Sequence, residues 1–329
     1  MFGAEELKDH IEITKKTVEC PVKGCTEKVV RKYKPDTHKY TDEFRCKTHN
    51  IFISPSTFKY QNELDNLLWK EPSDLELLKG IKAPRNKRES RFGHDNSEDA
   101  LSWNVFRFLE RNNLIEGFLD SISDSSPRSS EVIYWSYRQS EDKGWSLLDA
   151  ARTKFGEKTK RGSEPDIIIK TDTGLFFIEA KLTAGNSTDP SNPSYSKIYE
   201  TCADNWFSEV FESDYETIAL VEKKYELMRF WLLGTWMAKI LDLDFYLINL
   251  VPSRREKNIE AVFRKHVKKN QRRRFLRVTW ESIHQFIAKR SVFFDATSPF
   301  RDREIMMRYF RNKTIGYRDG RLRRAFSIL

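Results

Sequence analysis

Histidine is scarce. Six in 329 residues, widely scattered, offer no legible Ser/His/Asp set, so serine-type hydrolysis has no basis here. Long apolar runs are missing too. The best of them, Phe230–Val251, is interrupted by Lys239, Asp242 and Asp244. No stretch of about 18 uncharged apolar residues survives, so the run reads as a buried helix followed by a buried strand, not a membrane span. The first residues, MFGAEELKDHIEIT, lack the basic-then-apolar order of a secretory signal, and a cytoplasmic address is expected. Cysteines number only four, and in that compartment a disulfide framework is unexpected. The basic C-terminal quarter shows no helix-turn-helix, ribonucleoprotein or finger signature.

What is present is a folded chain with uneven charge. Hydrophobic residues make up 39% and aromatics 13%, and the length suffices for two domains or for one with additions. From Arg254 onward, 22 Lys and Arg face 7 Asp and Glu, while the remainder holds 36 against 42. That excess points to a polyanion bound through its phosphates, without sequence information. A solvated basic face is the plainer alternative.

The stretch Glu164–Lys181, EPDIIIKTDTGLFFIEAK, organises the rest. Two apolar runs, Ile167–Ile169 and Leu175–Ile178, flank a turn at Thr171–Gly174 and predict a β-hairpin. The register pairing Thr171 with Gly174 sets Asp166 opposite Glu179; a slip by one residue would send the two carboxylates to opposite faces. Strand alternation puts Glu179 and Lys181 on one face, Ile178 and Ala180 on the other. Opposed like charges destabilise a strand pair, and a hard divalent cation gives a reason to keep them. Carboxylates hold Mg²⁺, which lowers the pKa of a bound water and neutralises phosphate charge. Lys181 can orient that water or stabilise the phosphorane. The plainer alternative is an edge hairpin whose Glu179 and Lys181 face solvent.

A second cluster precedes it. Cys20-Pro-Val-Lys-Gly-Cys25 and Cys46-Lys-Thr-His49 have the spacing of structural zinc ligands. Residues 26–45, between the pairs, contain Val29, Val30, Tyr33 and Tyr40 and predict a small hairpin. Four protein ligands make a Zn²⁺ structural, and a module this small would depend on it. His38 is the alternative to His49 as fourth ligand. Lys23, Lys28, Arg31, Lys32, Lys34 and Lys39 make the loop basic, suited to nucleic acid or to docking within the protein. Cys202 is left as an ordinary buried thiol.

Pro165-Asp166 and Glu179-Ala180-Lys181 resemble the two halves of the PD-(D/E)XK motif of the restriction-endonuclease-like nuclease superfamily, and the Cys/His cluster resembles a zinc ribbon. The resemblance implies that Asp166 and Glu179 bind Mg²⁺ and that Lys181 helps activate water. It also implies that Glu98, at the start of an earlier helix, supplies a further acid near the metal; complementing the helix dipole is the alternative for Glu98. In-line attack leaving 5′-phosphate and 3′-hydroxyl ends is implied, in restriction, phage defence or repair.

The superfamily's αβββαβ core needs helix, three strands, helix and strand. A helix capped by Asn96 or Ser97 with Leu101, Val105, Phe108 and Leu109 as its stripe, a strand at Glu131–Arg138, the hairpin, helices at Ile198–Val210 and Tyr215–Leu241, and a strand at Asp244–Pro252 supply that order. Ahead of it, Asn62–Trp69 is expected to be helical and broken at Pro72-Ser73, and Lys82–Asn96 to be a linker or a basic strap. Lys158, Lys160 and Arg161 place positive charge before Asp166. The loop Leu182–Tyr195 either meets substrate or is a flexible connector, and Arg229 either reaches a phosphate or snorkels from a core helix. Beyond Arg254, helices are expected at Ile259–Val267, Trp280–Arg290 and Arg301–Arg311, with a short strand at Phe275–Thr279; Arg318–Arg324 has no regular pattern. The sequence thus predicts an α/β protein: a zinc-ribbon-like module (1–60), a helical linker (61–95), a nuclease core (96–253) and a basic helical extension packed on the core (254–329). The expected function is a Mg²⁺-dependent endonuclease acting on DNA or RNA, DNA first. The alternative is a catalytically silent nucleic-acid-binding protein on the same fold. A homodimer and a protein partner through the zinc module are further expectations.

Overall fold

The computed structural model describes residues 5–33, 40–54, 57–83, 91–158, 162, 164–191, 196–290 and 298–328. Lys34, His38, Lys39, Lys160 and Arg161 lie outside them, as do residues 84–90 of the expected strap.

β1 (Thr17–Glu19) and β2 (Lys28–Val30) pair antiparallel. The small hairpin therefore straddles Cys20–Cys25 instead of lying between the two Cys/His pairs, because the knuckle, with Gly24 at φ 81°, is itself the turn. β3 (Arg45–Cys46), β4 (Ile51–Ile53) and β5 (Phe58–Tyr60) form a second small sheet around the other pair. The helix expected at Asn62–Trp69 is only a 3₁₀ turn, Glu63–Asn66. Pro72, expected as a breaker, instead starts α1 (Pro72–Lys82). At the first helical position proline gives up no hydrogen bond and its fixed φ suits the helix. α2 (Glu98–Arg111) is capped by Ser97, whose Oγ accepts from Ala100 N at 3.0 Å. It buries Leu101, Val105, Phe108 and Leu109, the expected stripe.

After α3 (Ile115–Ile122), the strand expected at Glu131–Arg138 proves to be two, β6 (Ser130–Tyr134) and β7 (Tyr137–Arg138). The chain reverses between them at Trp135-Ser136, with φ of 44° and 70°. β8 (Lys143–Gly144) and α4 (Ser146–Lys154) lead to β9 (Ile167–Thr171) and β10 (Gly174–Ala180). α5 (Ser196–Val210) is interrupted at residues 202–205. The single helix expected from Tyr215 is a π-type turn at Glu216–Val221 followed by α6 (Tyr225–Leu241), parted at Lys223 with φ 53°. β11 (Asp244–Val251), α7 (Ile259–Arg264), β12 (Arg273–Thr279), α8 (Trp280–Lys289) and α9 (Ser298–Asn312) follow. Arg318–Arg324 turns out to belong to a hairpin of β13 (Thr314–Arg318) and β14 (Arg321–Arg324).

The chain forms two compact units, one of residues 1–74, 87–112 and 280–329, the other of residues 75–86 and 113–279. The basic stretch 254–329 is thereby divided between them. In the first unit, Val18, Cys20, Cys46, Ile51, Phe58, Tyr317 and Leu322 belong to one apolar cluster, so the hairpin β13–β14 shares a core with the Cys/His module. The second unit is built on a seven-stranded mixed sheet in the order β12-β11-β10-β9-β6-β7-β8. β10, β11 and β12 run parallel, and the other pairings are antiparallel. One face of this sheet is apolar because alternate residues, among them Ile168, Phe177, Leu247 and Phe275, pack in one cluster with side chains of α4, α5 and α6. Each such large side chain contributes roughly 1.5–3 kcal/mol by leaving water. No helix among the described residues is long and apolar enough to cross a membrane.

α6 lies close to β11. A Cβ on Gly234 would sit 2.1 Å from ring atoms of Phe245. Gly234→Ala is therefore expected to destabilise the protein by about 1–3 kcal/mol through overpacking, although alanine is the better helix former by ~1 kcal/mol. A urea midpoint that stays put or rises would contradict this packing.

Candidate active site and metal centre

The hairpin β9–β10 has the register expected of it: Leu175 pairs with Lys170, Phe176 with Ile169, Phe177 with Ile168 and Ile178 with Ile167. Its turn is held by the Thr171 hydroxyl, which accepts from Gly174 N (2.8 Å) and Thr173 N (3.1 Å). One step beyond the last pair, Asp166 and Glu179 follow on the face that carries Ile168 and Phe177. The next strands continue the pattern, since Glu179 aligns with Asn249 and Asn249 with Arg277. The apolar row Ile168–Phe177–Leu247–Phe275 is thus succeeded, at the end of the sheet, by a polar row: Asp166, Glu179, Asn249, Arg277.

Asp166 is fixed from two sides. Its Oδ2 accepts from Ala180 N at 2.9 Å and its carbonyl from Trp135 N at 3.0 Å. Glu179 is only 4% exposed and Lys181 9%. The Lys181 ammonium donates to Glu179 Oε1 and, at 3.0 Å, to Glu226 Oε2. Burial, then the neighbouring charges of Asp166 and Glu226, push the Glu179 carboxyl well above the usual range. Burial pulls the Lys181 ammonium down, but Glu179, Glu226 and Asp166 outweigh it, so Lys181 holds its proton more tightly than a free lysine. Glu179, reluctant to ionise beside Asp166, belongs to a donor set that a hard cation would complete. The oxygens of Asp166, Glu179 and Glu226 do not converge as a three-ligand cluster does, which suits Mg²⁺, an ion that keeps several waters.

Glu226 is the site residue that sequence reading missed. It stands in the first turn of α6, 45 residues from Lys181, where an acid looks like ordinary dipole complementation. The loop after β10 places it. Glu226 N donates to Thr188 Oγ1 (2.9 Å), and Thr188 N donates to Lys223 O (2.8 Å). On its other side the loop meets β11: Asn186 Nδ2 donates to Asn249 Oδ1 (2.7 Å) and to Glu256 Oε2 (2.6 Å), Asn186 N donates to Glu256 Oε1 (2.7 Å), and Asn249 Nδ2 donates to Glu256 Oε2 (2.9 Å). Arg277 fixes the turn that carries Glu256, donating to the carbonyls of Ser253 (2.8 Å) and Arg255 (2.7 Å). Residues 182–191 are thus tethered to two elements and are not a loose connector.

Arg229 does not snorkel into water but is engaged within the protein. Its Nε donates to Glu157 Oε1 (2.9 Å) and its guanidinium lies 5.0 Å from the Tyr225 ring centroid. Lys158 is exposed. Glu98 stands with Asp99 in the first turn of α2, in the first unit, whereas Asp166, Glu179 and Lys181 belong to the second.

The Cys/His cluster of the first unit converges. The ligand atoms of Cys20, Cys25, Cys46 and His49 all lie within 4.8 Å of one another. Cys25 and Cys46 sulfurs are 3.9 Å apart, and His49 Nδ1 is 3.5 Å from the sulfurs of both Cys20 and Cys46. A tetrahedron with bonds of ~2.3 Å to sulfur and ~2.0 Å to nitrogen puts its sulfurs about 3.8 Å apart and sulfur and nitrogen about 3.5 Å apart. These three distances agree with it. Burial pushes the Cys20 thiol up and, with the Glu27 carboxylate, the Cys46 thiol to about 11. Thiols so reluctant to ionise alone fit a site that a Zn²⁺ would complete. Lys8 braces the knuckle, its ammonium donating to the carbonyls of Cys20 (3.1 Å) and Cys25 (2.6 Å).

A model of the family described as Restriction Endonuclease associating with ARP matches residues 30–303. The chain belongs to that family. The matched span takes in Cys46 and His49, the whole seven-stranded sheet and the polar row at its end, and begins after Cys20 and Cys25. No curated protein matches the chain, and no solved structure does.

Proposed function

We propose that the protein is a Mg²⁺-dependent endonuclease acting on DNA. The observation that carries this reading is the polar row that follows the apolar row Ile168–Phe177–Leu247–Phe275, where Asp166, Glu179 and Lys181 come together in the register their spacing requires. Asp166 and Glu179 would hold one or two Mg²⁺; the bound ion supplies acidity to a water and neutralises phosphate charge. Lys181, kept protonated by its carboxylate neighbours, would stabilise the charge developing on the phosphoryl oxygens. Glu226 positions that ammonium. α2, expected to open the superfamily's αβββαβ core, belongs to the other unit, so we read α3 in its place, with β6, β9, β10, α6 and β11, since three antiparallel strands are followed by a helix and a strand parallel to the third.

The family's description speaks of restriction and of an association with ARP. On that ground we propose restriction or a related defence or repair setting in the cytoplasm, a contact with such a partner, and paired chains for double-strand cutting. A second reading, a silent nucleic-acid-binding protein, is favoured by one observation: Lys181 is already engaged by two carboxylates at a nearly closed site. Plasmid cleavage separates the two. Wild type is expected to cut in Mg²⁺ and not in EDTA, leaving ligatable 5′-phosphate and 3′-hydroxyl ends, and Asp166→Ala to fall to background. DNA retained without cutting across several divalent metals would decide for the silent binder; equal cutting by wild type and Asp166→Ala would reveal a contaminant.

A further inference from the structure

The hairpin β13–β14 and the segment before β1 enclose a groove in the first unit. Ile11 N donates to Gly320 O (2.7 Å), and Leu322 N donates to Asp9 O (3.0 Å). The contact is tight enough that a Cβ on Gly320, which has φ 77°, would lie 2.7 Å from the Ile11 carbonyl oxygen. Tyr317 stacks on Phe58 with ring centroids 5.6 Å apart and donates its hydroxyl to Ser54 O (2.6 Å). The walls are therefore fixed by the same core that surrounds the Cys/His cluster.

The groove has a volume of about 450 Å³. Its exposed lining is mainly polar, with Arg31 and Arg318 and the opposing acid Asp319, whereas Ile11 and Tyr317 are themselves buried. Arg318 is 81% exposed, and its pairing with Asp319 at 3.6 Å is between two exposed groups, too weak to occupy it. Arg31 donates to Thr14 O (3.0 Å) and lies 5.0 Å from the ring centroid of Tyr33, whose side chain is 62% exposed. Arg321 and Arg323 are exposed on the side of β14 away from buried Leu322.

A cationic face alone would suit any polyanion. An exposed tyrosine ring beside a guanidinium at the mouth of the groove suits something narrower. A duplex keeps its base faces stacked and offers such a surface mainly phosphates, whereas a single strand brings an unstacked base together with its phosphate. A volume of this size lies within the range of small-ligand pockets. We propose that this groove and the adjoining Tyr33 bind single-stranded nucleic acid, with a base stacked on Tyr33 and the flanking phosphates on Arg31 and Arg318. The inference rests on the reading of the protein as acting on nucleic acid, and adds the strand form that it holds away from the polar row.

The test is fluorescence anisotropy of the full-length protein in EDTA, with a labelled 20-nucleotide single strand and the duplex of the same sequence. Plasmid cutting in Mg²⁺ is measured separately. Tyr33→Ala and Arg318→Glu alter exposed side chains, and unchanged circular dichroism and zinc content confirm folding. Wild type is expected to bind the single strand at least about 10-fold more tightly than the duplex. Each variant is expected to lose roughly 5-fold or more on the single strand, in line with the worth of one stacked base, and less than about 2-fold on the duplex. Equal losses on both would reduce the groove to a patch of charge and overturn the proposal, and unchanged single-strand affinity would overturn it while leaving the nuclease reading intact if wild type cuts. Selective loss of the single strand with no cutting by wild type would uphold the groove and sink the nuclease reading.

Discussion

Lys181→Met is expected to slow DNA cleavage by about 10²- to 10³-fold, the range for removing one donor that stabilises developing charge. Its effect on folding should be far smaller than the loss of a buried ion pair suggests. Breaking such a pair by deleting one partner costs about 3–5 kcal/mol when the other stays charged. Glu179, however, is already disposed to take a proton, because burial and the charges of Asp166 and Glu226 favour its neutral form. Without the ammonium it can protonate and shed most of that penalty. The double variant Glu179→Gln/Lys181→Met carries the comparison further. It is expected to be no less stable than Lys181→Met and equally inactive, since groups that act as a unit are not additive. Glu226→Gln, which leaves Lys181 its contact with Glu179, is expected to be milder, roughly 10- to 100-fold, as for residues that support a metal site from behind. Cleavage rates on a supercoiled plasmid and urea midpoints of the same preparations check all three. Cleavage by Lys181→Met within about 10-fold of wild type would remove Lys181 from the chemistry.

Cys46→Ser is expected to have the largest effect on stability. A structural Zn²⁺ contributes on the order of 10–16 kcal/mol to peptides that fold around it, and losing one of four ligands forfeits a substantial part of that. Cys46 also belongs to the cluster of Ile51, Phe58, Tyr317 and Leu322. The damage is therefore expected to spread beyond the knuckles to β13–β14, read as faster amide exchange there. In wild type, metal analysis is expected to find about one Zn per chain; less than about 0.2 in a folded preparation would reject the ligand set. Chelation should reproduce the Cys46→Ser phenotype, and added zinc should reverse chelation but not the substitution.

The elements that alternation and spacing control were legible. The β9–β10 register was readable because a turn at residues 171–174 and two apolar runs leave one pairing that keeps Ile168 and Phe177 on the same face. The Cys and His ligands were readable because metal spacing is local. Relations across long separations were not. Nothing near Glu226 announces Lys181, and Asn186, Asn249 and Glu256 look like ordinary polar residues until the parallel pairing of β10 and β11 aligns Asn249 with Glu179. Local signals also misled. Pro72 was taken as a stop when its position makes it a start. Trp135-Ser136 reverses the chain without a glycine or asparagine to announce it. Asp319-Gly320, a strong turn pair, was hidden by the arginines around it.

The bonds joining Asn186 and Asn249 to Glu256 have a kinetic side. The segments leaving two neighbouring strands are stitched together before any substrate arrives, and Arg277 rivets the second in place. For the proposed nuclease, an incoming phosphodiester would therefore meet walls already standing, and little of its binding energy would be diverted into ordering residues 182–191. Encounter, not the ordering of this loop, would then govern how fast this end of the sheet fills.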